Sequence, residues 1–416
     1  MSKKGNKYNI ENKDIKFLLN KFGVNSLEEV KTCILKRLKE NLKNGIVDKR
    51  QEGKITYKIW DIIICVIIAN FASVFDWEEI HDFVEVHYKW FKSFLQMTGG
   101  IPSAQTYERV FSLIDHEELE NILVQFYTEI IFNIVLNKDL KCIDGRVSRG
   151  SARNETDYNE KEKPLNVLNV CSNSYGICLA SEMIDEKTNE IPTILERLNI
   201  KNSIITWDAL NTQTENIKAV VEGKGDYVVP TKGNQGNFYK DLIDYFDDKK
   251  LEEIKAGKTQ SAYMKYTEKN HSAFITYEYF QTEDTKWYFD RDKWKKLNSI
   301  GMVRKTIEKN EKISIEERYY ISSLFLDIEF SNAIRNHWSV ENKLHWHLDF
   351  TFKQDKNTTK NKDALMNLEI VNKFTLAILN KVKPDYNNIS LKRIRNILTH
   401  NFEDNFMTLL CFLALS

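Results

Sequence analysis

LKCIDG at 140–145 and SIITWD at 203–208 are two short runs of apolar and β-branched residues, and each ends at or next to a carboxylate, Asp144 and Asp208. Runs of this length bounded by polar turn residues read as buried strands. Between them, 165–171 (LNVLNVC) and 176–184 (GICLASEMI) flank Ser172-Asn173-Ser174 and predict a hairpin. Helical spacing follows over 190–198, 212–221 and 235–246, with one more strand at 226–230 (DYVVP) between the last two. The order is strand, strand, strand, helix, strand, helix, strand, helix.

That order is the order of a ribonuclease-H-like α/β fold, an antiparallel trio of strands extended by parallel strands through helical crossovers. Upstream, residues 10–135 read as helix after helix. Leu27, Val30, Ile34, Leu38 and Leu42 recur at helical spacing behind a cap at Asn25 or Ser26, and Ser103 is placed to cap a helix over 106–114. Downstream, strand-like alternation returns over 273–280, 301–307 and 318–324, so about 260–325 reads as a β-rich insertion. Helices resume over 326–350 and 364–379. The expected organisation is an all-α N-terminal domain (1–135), a ribonuclease-H-like catalytic domain (136–385) and a C-terminal helical tail (386–416).

The chain has 416 residues, 60 Lys+Arg and 60 Asp+Glu, and 42% apolar residues, which excludes wholesale disorder. The zero net charge hides a distribution: residues 1–60 carry a net +8 and residues 61–140 a net −9. A basic arm of that size suggests a polyanion partner. The longest apolar run, 62–75, lies between Asp61 and Asp76 and is broken by Asn70 and Ser73. It is shorter than the roughly 20 residues a membrane span needs. The lysines near Met1 lead into no apolar stretch of a signal peptide. Six scattered cysteines without a CxxC pair read as reduced core thiols. The expectation is a soluble, cytoplasmic protein with no membrane contact.

Asp144 and Asp208 sit at the carboxyl ends of core strands, the edge where open α/β sheets bind ligands. Buried acids there need a partner or a cation. A third carboxylate from a later helix completes a site for two hard divalent ions, Mg²⁺ or Mn²⁺, of the kind that drives in-line phosphoryl transfer. Glu341 in NHWSVENKLHWHLD (336–349) fits, with Asp349 and Asp355 as alternatives. His337, His345 and His347 lack the HExxH spacing of a zinc site, and His345 is placed to orient Glu341. Arg146, Arg149 and Arg153, with Lys161 and Lys163, form a basic loop that reads as a DNA-phosphate contact or an ordinary exposed loop. Lys232, Asn234 and Gln235 open a helix, as a phosphate site or as its cap. Trp338 and Trp346 flank Glu341, either as core or as a platform for an unpaired base.

These strings resemble the DDE transposases of the H-repeat-associated, or ISAs, group of bacterial insertion sequences. DWEEI (76–80), IPS (101–103) and RVF (109–111) resemble that group's amino-terminal associated domain. IDGR (143–146) with RGS (149–151), EKTNEIP (186–192), TWDAL (206–210) with Gln213, and DYVVPTKGNQ (226–235) follow in its order. YYISSL (319–324), RNHWSVENKLHWHLDFTF (335–352) and Asp355 match the region of its catalytic Glu. The resemblance implies that Asp144, Asp208 and Glu341 are the catalytic and metal-binding triad. It departs from the family at Arg146, where Lys is usual, and at His271-Ser272-Ala273, where His-Gly-Arg is usual. Leu348 stands where a wider signature has Lys, and Arg335 is the substitute positive charge. The implied function is DNA transposition: metal-dependent strand cleavage and 3′-OH strand transfer at terminal inverted repeats, by a homodimer or larger assembly on double-stranded DNA. A catalytically silent DNA-binding derivative and a stand-alone metal-dependent nuclease are the alternatives.

Overall fold

In the computed structural model, the described residues are 10–131, 139–152, 164–184, 190–270, 273–340 and 344–416. Seven α-helices precede the first strand among these residues: α1 (Asn12–Phe22), α2 (Leu27–Gly45), α3 (Ile59–Phe71), α4 (Trp77–Val86), α5 (Tyr88–Phe94), α6 (Ala104–Phe111) and α7 (His116–Ile130). Their starts are written in the sequence. Ser26, Asp76, Ser103 and Asp115 each accept a hydrogen bond from a backbone N–H of the first turn. IWDIIICVIIANF has no polar face, and α3 is accordingly buried around nearly its whole circumference. No helix among the described residues is long and apolar enough to cross a membrane.

The strands are β1 (Leu140–Ser148), β2 (Leu165–Ser172), β3 (Cys178–Met183), β4 (Ile204–Trp207), β5 (Asp226–Thr231), β6 (Ser261–Asn270), β7 (Ala273–Thr282), β8 (Ser299–Lys309) and β9 (Lys312–Ser322). They form one nine-stranded sheet in the order β3-β2-β1-β4-β5-β9-β8-β7-β6. β1, β2 and β3 are antiparallel, and β4 and β5 run parallel to β1. This is the ribonuclease-H-like arrangement expected of the strand order. The four strands of the β-rich insertion join the same sheet, because β9 pairs antiparallel with β5.

Alternation along β1 sets the two faces. Ile143 packs with Ile191, Ile194 and Ile217 of α8 (Glu190–Glu196) and α9 (Thr214–Glu222), joined further along by α10 (Asn237–Tyr245) and α11 (Asp248–Lys255). Cys142 faces the other way, into the core of the helical body. Asp144, Arg146 and Ser148 share that parity. On this same side α12 (Ile328–Val340) lies over β5, β8 and β9 through Phe330, Ala333 and Ile334.

The body on this side is built from both ends of the chain. α13 (Lys362–Val382), α14 (Leu391–His400) and α15 (Phe402–Leu415) share one apolar core with α1–α7. α13 is buried along almost its whole length, and several of its polar residues make long-range hydrogen bonds. Asn367 donates to the carbonyls of Phe111 and Ile114 at 2.8 and 2.9 Å, and Lys373 to the Ser181 hydroxyl at 3.0 Å. Arg395 of α14 is buried, donates to the carbonyls of Thr351 and Asn70, and lies over the rings of Phe75 and Phe352. One expectation is corrected: Cys171 and Cys178, opposite each other in β2 and β3, form a disulfide, whereas Cys33, Cys65 and Cys411 are free thiols.

Candidate active site

Ile143 of β1 and Trp207 of β4 are paired in parallel register. The residues that follow them, Asp144 and Asp208, therefore lie side by side; Asp208 is just past the end of β4, whereas Asp144, expected to end its strand, is within β1, which runs on to Ser148 in pairing with β2. The loop after Asp208 is held from two directions. Thr212 accepts from the Trp207 indole at 3.2 Å and donates to the Pro230 carbonyl at 2.6 Å. The Gln235 amide donates to the carbonyls of Ala209 and Thr212 at 3.2 and 2.9 Å, and Asn234 reaches Ala209 at 3.3 Å. A strand-end acid fixed this way is preorganised rather than mobile.

Two histidines from the HWSVENKLH segment face the two aspartates. His337 Nε2 is 3.5 Å from Asp208 Oδ1, and His345 Nδ1 is 3.5 Å from Asp144 Oδ2. The His337 imidazole beside Asp208 holds its carboxyl below the usual range, and Arg318 adds to the effect. Burial, with the Arg146 charge adding to it, pushes the His345 imidazole down to about 4, so it is neutral at neutral pH. The site thus presents two acids and two imidazoles. Carboxylate oxygens flanked by imidazole nitrogens fit a divalent cation such as Mg²⁺ or Mn²⁺ better than they fit an anion. Glu341, the expected third acid, lies outside the described residues, as do Arg153, Lys161, Lys163 and His271-Ser272.

The expected DNA contacts divide. Arg146 is buried; it pairs with Asp349 and lies 3.6 Å from Asp355 and 3.5 Å from Glu369. That corrects the expectation of a phosphate contact, because its guanidinium is already surrounded by acids. The same pairing assigns the alternative acids Asp349 and Asp355 to Arg146. Asn234 and Gln235 clamp the Asp208 loop, and neither caps α10, whose N-cap is Gly236. Arg149 and Lys232 are exposed, and Arg335 is exposed with its guanidinium 4.0 Å above the Tyr266 ring. Trp338 packs against Tyr277 and beneath Arg318 and Lys305. Trp346 and Phe350 are exposed and stacked with ring centroids 4.8 Å apart. His345, expected to orient Glu341, is found against Asp144.

Residues missed from sequence lie behind the site. Glu369 accepts from Ser148, Lys373 bridges Ser181 and Asn169, and Glu120 of α7 accepts from the Ser181 N–H and hydroxyl, both at 2.6 Å. The signal was present: Glu369 and Lys373 are charges inside an otherwise apolar helical run, where a charge is costly unless paired.

The family described as "DDE_Tnp_1-associated" matches residues 41–127, and the "Transposase DDE domain" family matches residues 137–375, more than half the chain. "H repeat-associated putative transposase YhhI" of Escherichia coli K12 is 31% identical over 326 residues, covering 77% of this chain and 84% of that protein. "Putative transposase YncI" of Escherichia coli O157:H7 is 29% identical over 356 residues, covering 84% and 88%. Among solved structures, a piggyBac transposase synaptic complex with hairpin DNA aligns over 95% of this chain and 86% of that chain at 11% identity. Its TM-score of 0.33 is too low to argue from. With a transposase domain matched across its sheet and both aspartates, this chain belongs to the DDE transposase family, alongside the H-repeat-associated proteins.

Proposed function

We propose that this chain is a working transposase of an insertion sequence, which cleaves the 3′ ends of its element and joins the freed 3′-OH to target DNA. The observation that carries the reading is the pair of acids, Asp144 and Asp208, side by side on adjacent parallel strands and faced by His337 and His345. Two Mg²⁺ or Mn²⁺ ions held by Asp144, Asp208 and Glu341 would supply Lewis-acid activation of the attacking oxygen and neutralise charge on the leaving one. Asp208 stays ionised because His337 and Arg318 lower its proton affinity, and its exposed carboxylate can reach a bound strand. Arg149, Lys232 and Arg335 are exposed cations suited to DNA phosphates, whereas the stacked Trp346 and Phe350 suit an unpaired base. The helical residues 1–135 would recognise terminal inverted repeats, in a homodimer or larger assembly on double-stranded DNA.

The test is cleavage and joining on a duplex carrying the element's end. Asp144→Ala, Asp208→Ala and Glu341→Gln are each expected to abolish Mg²⁺-dependent nicking, by at least about 10³-fold, while gel-shift binding survives. Cleavage retained by Glu341→Gln would remove that residue from the triad. Nicking without joined products would identify a stand-alone nuclease, and binding without nicking by the unaltered chain a silent DNA-binding protein.

A further inference from the structure

We propose that Gln235 is a positioning residue: it fixes the backbone that carries Asp208, and thereby sets how tightly that acid holds a divalent cation. This rests on the reading of Asp208 as a metal-binding acid and adds a residue that acts through the backbone of Asp208 rather than on the ion.

Behind Asp208 the chain is anchored, because Trp207 is fully buried. Ahead of it lies a short turn of helix, Ala209–Asn211, none of whose residues is buried, with Leu210 68% exposed. Apolar packing does not hold this turn, so its order depends on hydrogen bonds. The Asp208 carboxylate is exposed as well, with His337 Nε2 3.5 Å away, and inherits its place from the backbone.

Gln235 spends its amide on backbone groups alone. Its nitrogen donates to the carbonyls of Ala209 at 3.2 Å and Thr212 at 2.9 Å, on both sides of the turn, and its Oε1 accepts from the Lys232 N–H. One side chain thus straps the loop after β4 to the loop after β5, at the edge where these parallel strands end. Gly236, at φ 59° and ψ −123°, supplies the bend that turns the chain from Gln235 into α10. Gln235 is itself only half-buried, so it is no part of the core. Gln281 has the same chemistry elsewhere: it donates to the Phe325 carbonyl and the Ser299 hydroxyl, both at 2.9 Å, and accepts from the Asp327 N–H at 3.3 Å. It is buried and holds the link between β9 and α12, so it serves as the control.

Mn²⁺ is titrated into the full-length chain and followed by the electron paramagnetic resonance signal of the free ion. Amide exchange of the metal-free chain and thermal melts are measured beside it. Gln235→Met keeps an unbranched side chain of similar size and removes the donors and the acceptor. It is expected to weaken Mn²⁺ binding about 10-fold and to melt within about 2 °C of the unaltered chain. Exchange at Asn211 and Thr212, whose N–H groups close the turn on the carbonyls of Asp208 and Ala209, is expected to quicken about 10-fold. Gln281→Met is expected to lower the melting temperature and leave Mn²⁺ affinity unchanged. Unchanged affinity or unchanged exchange in Gln235→Met overturns the inference. So does a Gln235→Met chain that no longer melts cooperatively, or an equal loss of affinity in Gln281→Met, since either marks an effect on the whole fold. Asp208→Asn tests the metal-site reading separately: Mn²⁺ binding that survives it removes Asp208 from the ion and this inference with it. A loss in Asp208→Asn without one in Gln235→Met overturns the positioning role alone.

Discussion

Asp61 shows how one buried charge ties local chemistry to stability. It sits in the first turn of α3, buried, accepting from the Gln96 N–H at 3.0 Å and facing Lys39 at 3.5 Å. Burial nevertheless pushes its carboxyl up, the Lys39 charge only partly opposing this. A folded-state pKa above the unfolded one means that the native state holds the proton more tightly. This group therefore costs stability at pH 7, and the cost is relieved as pH falls through its folded pKa toward the unfolded value near 4. Asp61→Asn keeps an acceptor for Gln96 and removes the charge. Its urea-unfolding free energy relative to the unaltered chain is expected to be most favourable at pH 7 and to decline towards pH 4. A difference that grows on acidification would reverse the sign and refute this account.

At the scale of elements, the site depends on a close approach between the turn after β1 and the segment following the π-helical turn His347–Thr351. A β-carbon on Gly150 would lie 2.5 Å from the carbonyl oxygens of both Asp355 and Asn357, with backbone on both sides and no flexible side chain to yield. Gly150→Ala is expected to destabilise by about 1–3 kcal/mol in chemical unfolding. It would also displace Asp355 from Arg146 and slow strand cleavage. Gly53→Ala, with nothing within 4 Å, is the matched control and is expected to be near neutral. This contact was not legible in the sequence, although RGS at 149–151 stood out, because it joins positions some 200 residues apart. What was legible followed burial. β1, β4 and β5 read as apolar runs, and Asp208 was visible as the acid after β4, whereas β1 runs on past Asp144 to Ser148 because Gly145–Ser148 pair with β2. β6 was missed because both its faces meet water and carry Lys, Glu and Tyr, and the short, charged α11 has no long apolar stripe. The single helix expected over 326–350 is α12 as far as Val340, followed by π-helical geometry over His347–Thr351. The pairing of His337 with Asp208, like that of Arg146 with Glu369, depends on which elements pack together, which no local pattern records.

For the whole molecule, the zero net charge has a structural counterpart. Part of the basic arm faces the acidic helices that follow it: Lys39 lies 3.5 Å from Asp61, Arg37 3.7 Å from Glu129, and Lys49 3.7 Å from Asp115. The two halves of that asymmetry are therefore partly matched within one helical body, which is closed by the carboxyl terminus. Lys21 of α1 donates to the carbonyls of Ile130 and Ala414, at 2.6 and 2.7 Å, so one side chain ties α1, α7 and α15 together. Phe402 and Phe406 of α15 pack against Phe83, Trp90 and Phe71, and His87 meets Glu403 at 3.0 Å. A chain ending at residue 385 would expose those aromatic faces and the flanks of α2 and α13, an apolar patch that a soluble fold does not tolerate. It would also lose Arg395, which links Asn70 to Thr351 and so connects the helical body to the segment beside the site. Removal of 386–416 is thus expected to abolish cooperative melting of the whole chain and to raise binding of a hydrophobic dye, in circular dichroism and fluorescence measurements. A truncated chain that melts cooperatively at the temperature of the full one would show that the last two helices are an appendage. If they are instead part of the core, Arg395→Ala in the full-length chain should lower that melting temperature by several degrees, because it removes the same link without exposing the aromatic patch.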